Sequence, residues 1–322
     1  MGTGLLSQET VDSIYKQLVD MYHKSNQRIN ENNEMAKNDG EEDEDDKLEE
    51  DELEVIKEEN KNEHDLQLSI AEIIGIIFKT HPLFSGNVVA DLFSTLLTQN
   101  LQSDEKVKNK FALFIMDDMV EYLGPEILQQ HYVTVATQII KFCNSTVPAL
   151  RQAASYGIGV MAQKGGAAFS QVVSICLEGL RVAIEYQMPE HVKAKKSKAK
   201  QFNHARDNAI AALGKVIRYQ TANVDAQAII PGWLTLLPIK HDVEEAKIQN
   251  EILAEMLTEH PQVIIGEQYQ RFEQVVVILG EILDKKYITE QTGVKLATFI
   301  KNAAADPNLG AHFKVIYENK LS

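Results

Sequence analysis

Cysteine is scarce in this 322-residue chain, which contains only Cys143 and Cys176, each within an apolar stretch. Two cysteines without regular spacing provide neither a disulfide framework nor a zinc-ligand pattern. We therefore expect buried, unreactive thiols in a reducing compartment. The chain also lacks a secretory signal peptide and any apolar run of about 18 residues, which predicts an intracellular protein without a membrane partner.

Catalytic motifs are missing as well, since the sequence contains no GxSxG, HExxH or P-loop pattern. The dinucleotide-like pattern GIGVMA at residues 157–162 lies in a helical stretch, whereas that motif requires a preceding strand. We attribute its glycines to close helix packing. The sequence thus predicts no enzyme activity, no cofactor and no metal, and a structural role for His81 and His260, each of which precedes a proline.

The chain is rich in one repeated helical unit. The sequence EIIGIIFKTHP at residues 72–82 matches EILAEMLTEHP at residues 251–261, and further versions occupy 111–124, 150–166 and 209–219. A period of about 40–47 residues with two helices per unit is typical of HEAT and armadillo arrays. We predict an all-α fold, a HEAT-repeat α-solenoid formed as a right-handed superhelix of antiparallel helix pairs, which presents a long surface for binding proteins.

Hydrophobic periodicity divides the chain into four parts. Residues 1–37 are expected to form a helix that completes a preceding, missing repeat, and residues 38–63 an acidic, partly disordered segment. About five HEAT repeats occupy 64–285, and capping helices occupy 286–322. The predicted helix pairs are 64–80 with 84–100, 104–123 with 126–143, 148–164 with 167–187, 202–220 with 225–237, and 243–259 with 262–284.

A lysine-rich insertion at 189–201 lengthens one of these units. We interpret it as a solvated loop between helices, with a nuclear-localisation-like element or a contact with an acidic partner as the alternatives. Aromatic residues are not interleaved with its lysines, which argues against nucleic acid as a partner.

The net charge of −15 comes mainly from one segment. Residues 39–59 contain 14 acidic residues against Lys47 and Lys57, a local charge of −12 that leaves −3 for the rest of the chain. A dense polyanion accelerates encounter with basic proteins in a salt-dependent way, and a solubilising surface loop is the alternative interpretation. The candidate protein-binding residues of this segment are Asp43, Glu44, Asp45, Asp46, Glu49 and Glu50.

Asp117, Asp118 and Glu121 form a second group of carboxylates, on one predicted helix. Catalysis or metal binding would require further ligands that converge on a pocket, and no histidine or cysteine lies nearby at a suitable spacing. An aspartate at a helix edge ordinarily accepts a hydrogen bond from a backbone N–H or an arginine. Contact with a basic partner is the functional alternative.

Several sequence runs resemble the importin-beta family of nuclear transport receptors, and within it the importin-five (karyopherin beta-three) type. These runs are FIMDDMVEY at 114–122, VPALRQAASYGIGVMAQKGG at 147–166, NAIAALGKVI at 208–217 and IPGWLTLLP at 230–238. The acidic stretch before the first complete helix pair is similar too. The resemblance extends over nearly the whole chain and is strong from about 104 to 265.

This resemblance implies the C-terminal HEAT portion of a nuclear import receptor that binds basic cargo, namely ribosomal proteins and histones. It also implies Ran-GTP and nucleoporins as partners, and a location in the cytoplasm, the nucleus and the nuclear pore. The family's main Ran site lies in N-terminal repeats that this sequence does not match. A structural HEAT scaffold that organises a stable protein complex is the alternative function.

Overall fold

The computed structural model describes residues 5–38, 50–283, 286–307 and 309–310. Over these ranges the chain forms helices and helical turns, without a strand. The helices are α1 (Gln8–Asn38), α2 (Glu50–Thr80), α3 (Pro82–Ser85), α4 (Val89–Leu92), α5 (Thr98–Gln102), α6 (Lys106–Asp118), α7 (Gly124–Leu128), α8 (Tyr132–Lys141), α9 (Pro148–Lys164), α10 (Val173–Glu185), α11 (Glu190–Lys193), α12 (Lys196–Tyr219), α13 (Ala226–Thr235), α14 (Val243–Glu259), α15 (Pro261–Ile265), α16 (Phe272–Ile282) and α17 (Glu290–Ala305).

The chain divides into two compact units, residues 1–135 and 136–322, which are described separately. In the first unit, α1 packs against α2, and the two helices are antiparallel because residues later in α1 bond to residues earlier in α2. Polar contacts join Ser25 to Gln67, Arg28 to Glu63 and Asn32 to Asn60. Buried Val11, Tyr15, Leu18, Tyr22 and Ile29 form the apolar stripe of α1.

Helix α2 is longer than the predicted helix 64–80, since it begins at Glu50. Residues 50–63 of the predicted acidic segment are therefore helical, while residues 39–49 lie outside the described part of the chain. Packing against α1 is the physical reason that this acidic stretch is helical. Leu53, Ile56 and Asn60 recur at helical spacing as half-buried positions, and tertiary packing of such a stripe stabilises a helix that its own charge disfavours.

The predicted helix 84–100 is broken into α3, a 3₁₀ turn at 86–88, α4, a π-helical turn at 93–97 and α5. Side-chain hydroxyls in this stretch donate to backbone carbonyls: Thr95 Oγ1 to Asp91 O over 2.7 Å and Thr98 Oγ1 to Phe93 O over 2.6 Å. Such bonds compete with regular backbone pairing and favour irregular turns.

The two His-Pro sites have the same local structure. His81 (φ −132°, ψ 52°) precedes α3 and His260 (φ −139°, ψ 56°) precedes α15, and each donates its backbone N–H to the carbonyl four residues earlier, in Ile77 and Met256. In both places proline occupies the first helical position, where a missing N–H costs least. The self-match in the sequence therefore corresponds to a repeated helix break.

In the second unit, α9, α12 and α14 pack side by side. A Cβ on Gly159 would lie 3.3 Å from Ala212 Cβ and 3.1 Å from Lys215 Cδ. This glycine belongs to the GIGVMA pattern, so the pattern serves close helix packing, as expected. Gln220 Nε2 strengthens the same contact by donating to the Ala162 carbonyl over 2.6 Å.

Helix α12 also positions the start of α14. The Asp207 carboxylate accepts the backbone N–H groups of His241 at 2.7 Å and Asp242 at 3.0 Å. Asn208 Nδ2 donates to Asp242 over 3.0 Å, and Asp242 in turn caps α14 by accepting the N–H of Glu245 at 3.3 Å. These bonds satisfy backbone groups that a helix start otherwise leaves unpaired.

A continuous apolar core runs from α12 to the chain beyond α17. Its largest fully buried side chains are Trp233 and Phe272. Ion pairs join the same helices at the surface: Arg218 with Glu259 at 2.7 Å, and Lys295 with Glu255 at 2.9 Å.

The lysine-rich insertion is more ordered than a solvated loop. Its residues form α11 and the first turns of α12, which begins at Lys196 rather than at the predicted residue 202. The predicted helix 262–284 is likewise split, into α15 and α16. By contrast, α9 and α14 match the predicted 148–164 and 243–259.

None of the described helices combines the length and apolar character needed to cross a membrane.

Candidate functional site

Of the predicted binding residues, the structure describes the side chains of Asp117, Asp118 and Glu121, which lie at the end of α6 and just after it. Asp43, Glu44, Asp45, Asp46 and Glu49 lie outside the described residues, and Glu50 is described only as the first backbone position of α2. Asp117 and Asp118 are the last two residues of α6, and Glu121 lies in the π-helical turn that follows, at 119–123.

Asp117 points into the protein. Its side chain is only 6% exposed, and Oδ1 has no hydrogen-bond partner among the described residues. The expectation that it accepts a backbone N–H or an arginine at this atom is therefore wrong. Burial, together with the neighbouring Asp118 and Glu121 carboxylates, raises the pKa of Asp117 well above its ordinary value. Protonation is how an aspartate without a counter-ion tolerates such a position.

Asp118 lies against the backbone of α2. A Cβ added to Gly75 would lie 2.0 Å from Asp118 Oδ2, so a larger residue at this position would displace the carboxylate. Burial, Glu121 and Glu72 raise the pKa of Asp118 to about 6, although Lys79 opposes the shift. Asp118 therefore titrates close to physiological pH.

Helix α2 contributes two residues that sequence reasoning missed, Glu72 and Lys79. They are seven residues apart, which is two helical turns, and both act electrostatically on Asp118. Lys79 Nζ also lies 5.5 Å from the centre of the Tyr122 ring. A signal was present, since residues 72–82 are the clearest repeat in the chain, but the sequence does not say which helix faces α6.

We call Glu72, Asp117, Asp118 and Glu121 the carboxylate cluster. Lys79 is a cation that acts on Asp118, where the charges of Glu121 and Glu72 oppose it. Ile73 and Ile76, on the same helix as Glu72, are 42% and 58% exposed. Carboxylates beside exposed apolar side chains suit a lysine or arginine whose aliphatic stem also makes contact.

No group of three or more histidine, cysteine, aspartate or glutamate side chains within the described residues is arranged to hold a metal ion. Cys143 and Cys176 are both buried, as predicted, and burial raises the pKa of Cys176 to about 12. A thiol with such a pKa is a poor nucleophile.

Two known proteins with similar sequences both have importin names. The chain is 23% identical to importin subunit beta-3 of Saccharomyces cerevisiae over 311 residues, which is 94% of this chain and 26% of that protein. It is 27% identical over 176 residues to the "Probable importin-5 homolog" of Dictyostelium discoideum, 54% of this chain and 16% of that protein. No family model matches the sequence.

The solved structures agree. The karyopherin Kap121p bound to the SUMO protease Ulp1p superimposes with a TM-score of 0.64 and 21% identity, over 99% of this chain and 27% of that one. At this identity the likeness concerns the fold, and it confirms the predicted all-α HEAT-repeat class. The chain thus spans about a quarter of the length of importin subunit beta-3 and of Kap121p.

Proposed function

We infer that this chain, a member of the importin-beta (karyopherin) superfamily, is a protein-binding segment of a nuclear transport receptor. The observation that carries the inference is the match over 94% of the chain to an importin subunit. A chain built from stacked helix pairs offers extended surfaces for binding proteins rather than an enclosed catalytic centre. We therefore propose a binding role and no enzymatic one.

The proposed cargo is basic. The carboxylate cluster supports this choice because Glu121 and Glu72 add their negative charge to that of Asp118, and Lys79 opposes it only in part. A lysine or arginine of the cargo would favour the ionised form of Asp118 and release its proton. The acidic run at 39–59 would add long-range attraction and accelerate encounter.

Ran-GTP and nucleoporins are proposed as further partners, and shuttling between cytoplasm and nucleus through the pore as the setting. These proposals rest on the relationship to importins alone. They concern a receptor about four times as long as this chain, judged by the 26% of importin subunit beta-3 that the chain covers.

The test is a titration of the chain with a fluorescent lysine-rich peptide, followed by anisotropy between about 50 and 300 mM salt. A peptide with every lysine replaced by glutamine is the ligand control. The variant Asp118→Asn/Glu121→Gln is compared with Asp65→Asn/Asp104→Asn, which removes two exposed carboxylates elsewhere in the same unit.

We expect the cluster variant to bind the lysine-rich peptide several-fold more weakly at low salt, with a flatter salt dependence, and the control variant to bind like the original chain. Release of bound peptide by Ran-GTP would extend the result to regulated transport. Equal loss in both variants would mean that net charge, not the cluster, attracts the peptide. A co-purifying partner that resists high salt would favour the structural scaffold instead.

A further inference from the structure

The second unit contains a large cavity that the import function does not use. Its volume is about 880 Å³, and it lies between α10, α12, α13 and the stretch 186–193. Apolar side chains form most of the wall: Leu177, Ile184, Met188, Leu213, Ile229 and Leu236. Trp233, which is 1% exposed, also lines it, and its Nε1–H has no acceptor among the described residues.

A buried cation forms one side of this cavity. The Arg151 guanidinium carbon lies 3.8 Å from the centre of the Tyr186 ring and 4.8 Å from that of Phe202, and all three residues line the cavity. Arg151 is 2% exposed and donates from Nη1 to the Ser145 carbonyl over 2.5 Å. Within the described ranges it pairs with no carboxylate, so the aromatic faces stabilise the charge.

The rim of the cavity carries further cations. Arg206 is exposed, donates from Nε to the Ile184 carbonyl over 3.3 Å, and pairs with no carboxylate in the described part of the chain. Lys196 and Lys200 lie seven and three residues before the lining residue Asn203, on the same side of α12, and both are exposed without an acidic partner among the residues described. Two other lining cations, Arg181 and Lys193, are already paired with glutamates.

The apolar cavity has unpaired cations near it, whereas the carboxylate cluster is a group of negative charges. We propose that this cavity docks a linear segment of a partner protein in which an apolar anchor residue is flanked by aspartate or glutamate. The anchor side chain fills the apolar part of the cavity, and the flanking carboxylates pair with Arg206, Lys196 and Lys200. Each charge pair at an exposed rim adds specificity and speed of association more than affinity.

Charge complementarity selects this occupant. Of the four lining cations, Arg151 and Arg206 have no carboxylate partner among the described residues, whereas Arg181 and Lys193 pair with Glu178, Glu185 and Glu190. A lysine-rich cargo would be repelled here. One face of each aromatic ring is covered by Arg151, which leaves less ring surface for the base stacking that single-stranded nucleic acids need.

The test is an anisotropy titration of the full chain with a fluorescent peptide that contains Leu-Phe flanked on each side by three acidic residues. Two further peptides separate the contributions: one replaces Leu-Phe with Ser-Ser, and one replaces the acids with Asn and Gln. A 12-nucleotide oligo-uridine is the nucleic-acid probe.

Two variants address the two parts of the site. Lys196→Gln/Lys200→Gln/Arg206→Gln removes rim charge, and Met188→Gln makes the half-buried cavity wall polar. The matched charge control is Lys37→Gln/Lys61→Gln/Lys106→Gln, three exposed lysines of the first unit. Circular dichroism and the unfolding midpoint verify that each variant folds.

We expect the acidic Leu-Phe peptide to bind at least tenfold more tightly than either altered peptide. The rim variant should weaken binding about tenfold at low salt and flatten its salt dependence, and Met188→Gln should weaken binding without changing the salt slope. The charge control should bind like the original chain. Equal binding of the Ser-Ser peptide, preference for oligo-uridine, or no binding at all would each overturn the proposal.

Discussion

The carboxylate cluster and the cavity beside Arg151 each contain a buried charged group, and the two regions stabilise that group in different ways. Both place a charged group in a largely buried position without an ion-pair partner among the described residues. Asp117 is 6% exposed and Arg151 is 2% exposed. An aspartate can become neutral, and burial accordingly raises the pKa of Asp117 well above its ordinary value. An arginine keeps its proton in proteins, so Arg151 instead lies against two aromatic rings.

This difference shows how one helical architecture supports two sites of opposite charge. Each region is built from packed helix pairs, and the local chemistry comes from a few side chains on them. In the first unit, a glycine on α2 admits a carboxylate from α6. In the second, the lysine-rich start of α12 supplies cations beside an apolar cavity.

The largest expected effect comes from Arg151→Ala. The substitution removes the cation that lies against the Tyr186 and Phe202 rings and the hydrogen bond to Ser145, and it leaves a void. We expect a loss of about 2–4 kcal/mol in the free energy of unfolding, measured by urea denaturation. Arg151→Lys, which keeps a charge but not the planar group, should lose less. A loss below about 0.5 kcal/mol for the alanine variant would show that the stacked cation contributes little.

The second-largest effect is expected from Gly75→Ala. We expect it to lower the free energy of unfolding by about 1–3 kcal/mol, because the new methyl group would displace the Asp118 carboxylate. The companion variant is Gly75→Ala/Asp118→Ala, which removes the carboxylate and leaves only the Cβ of residue 118 near the new methyl group, at 3.3 Å. Chemical denaturation should show that the double variant recovers most of the loss. If the two substitutions add independently, Gly75 does not act through Asp118.

The third prediction concerns pH. Folding raises the pKa of Asp118 from 3.8 to about 6, so between these values the folded chain holds a proton that the unfolded chain has released. Its contribution to stability therefore falls as pH rises through this interval and is constant above it. Asp118→Asn cannot ionise, and we expect it to be about 1 kcal/mol more stable than the original chain above pH 6, after allowance for partial exposure.

Below about pH 3 the two proteins should unfold at the same denaturant concentration, because Asp118 is then protonated in both the folded and unfolded chains. Asp104→Asn, at an exposed position, is the control and should show no such pH dependence. A constant difference between Asp118→Asn and the original chain from pH 4 to pH 8 would contradict the raised pKa.

The smallest expected effect is on the rate of association with a basic partner. Neutralising Asp43, Glu44, Asp45, Asp46, Glu49 and Glu50 is expected to slow association with a lysine-rich peptide by a few-fold at low salt, with little change in the dissociation rate. Stopped-flow fluorescence over a salt series measures both rates. Unchanged association at low salt would leave this segment with a solubilising role only.

Sequence reasoning located the regular helices well and the irregular ones poorly. The strong apolar periodicity of α9 and α14 predicted their bounds. The predicted helix 84–100 is broken into short helices and turns, and hydroxyl side chains in it bond to nearby carbonyls; apolar periodicity does not report such local bonds. Helix α2 begins 14 residues before the predicted start at 64 because α1 provides packing that a local pattern cannot show.

For the carboxylate cluster, the sequence supplied Asp117, Asp118 and Glu121 but not Glu72 or Lys79. Residues on one helix can be grouped by spacing alone, whereas contributions from α2 depend on which helices pack together. The cavity was missed for the same reason, since its lining extends from Arg151 to Leu236 along the chain.

The sequence by itself determined the helical repeat, the resemblance to importins, the local excess of acid and the cluster of lysines, because these depend on composition and on spacing along the chain. Only the tertiary structure decided which charges are buried and what faces them. Helix packing places Asp118 against Gly75 and Arg151 against the rings of Tyr186 and Phe202. Burial and electrostatic environment depend on distances in space, and residues far apart in sequence set those distances.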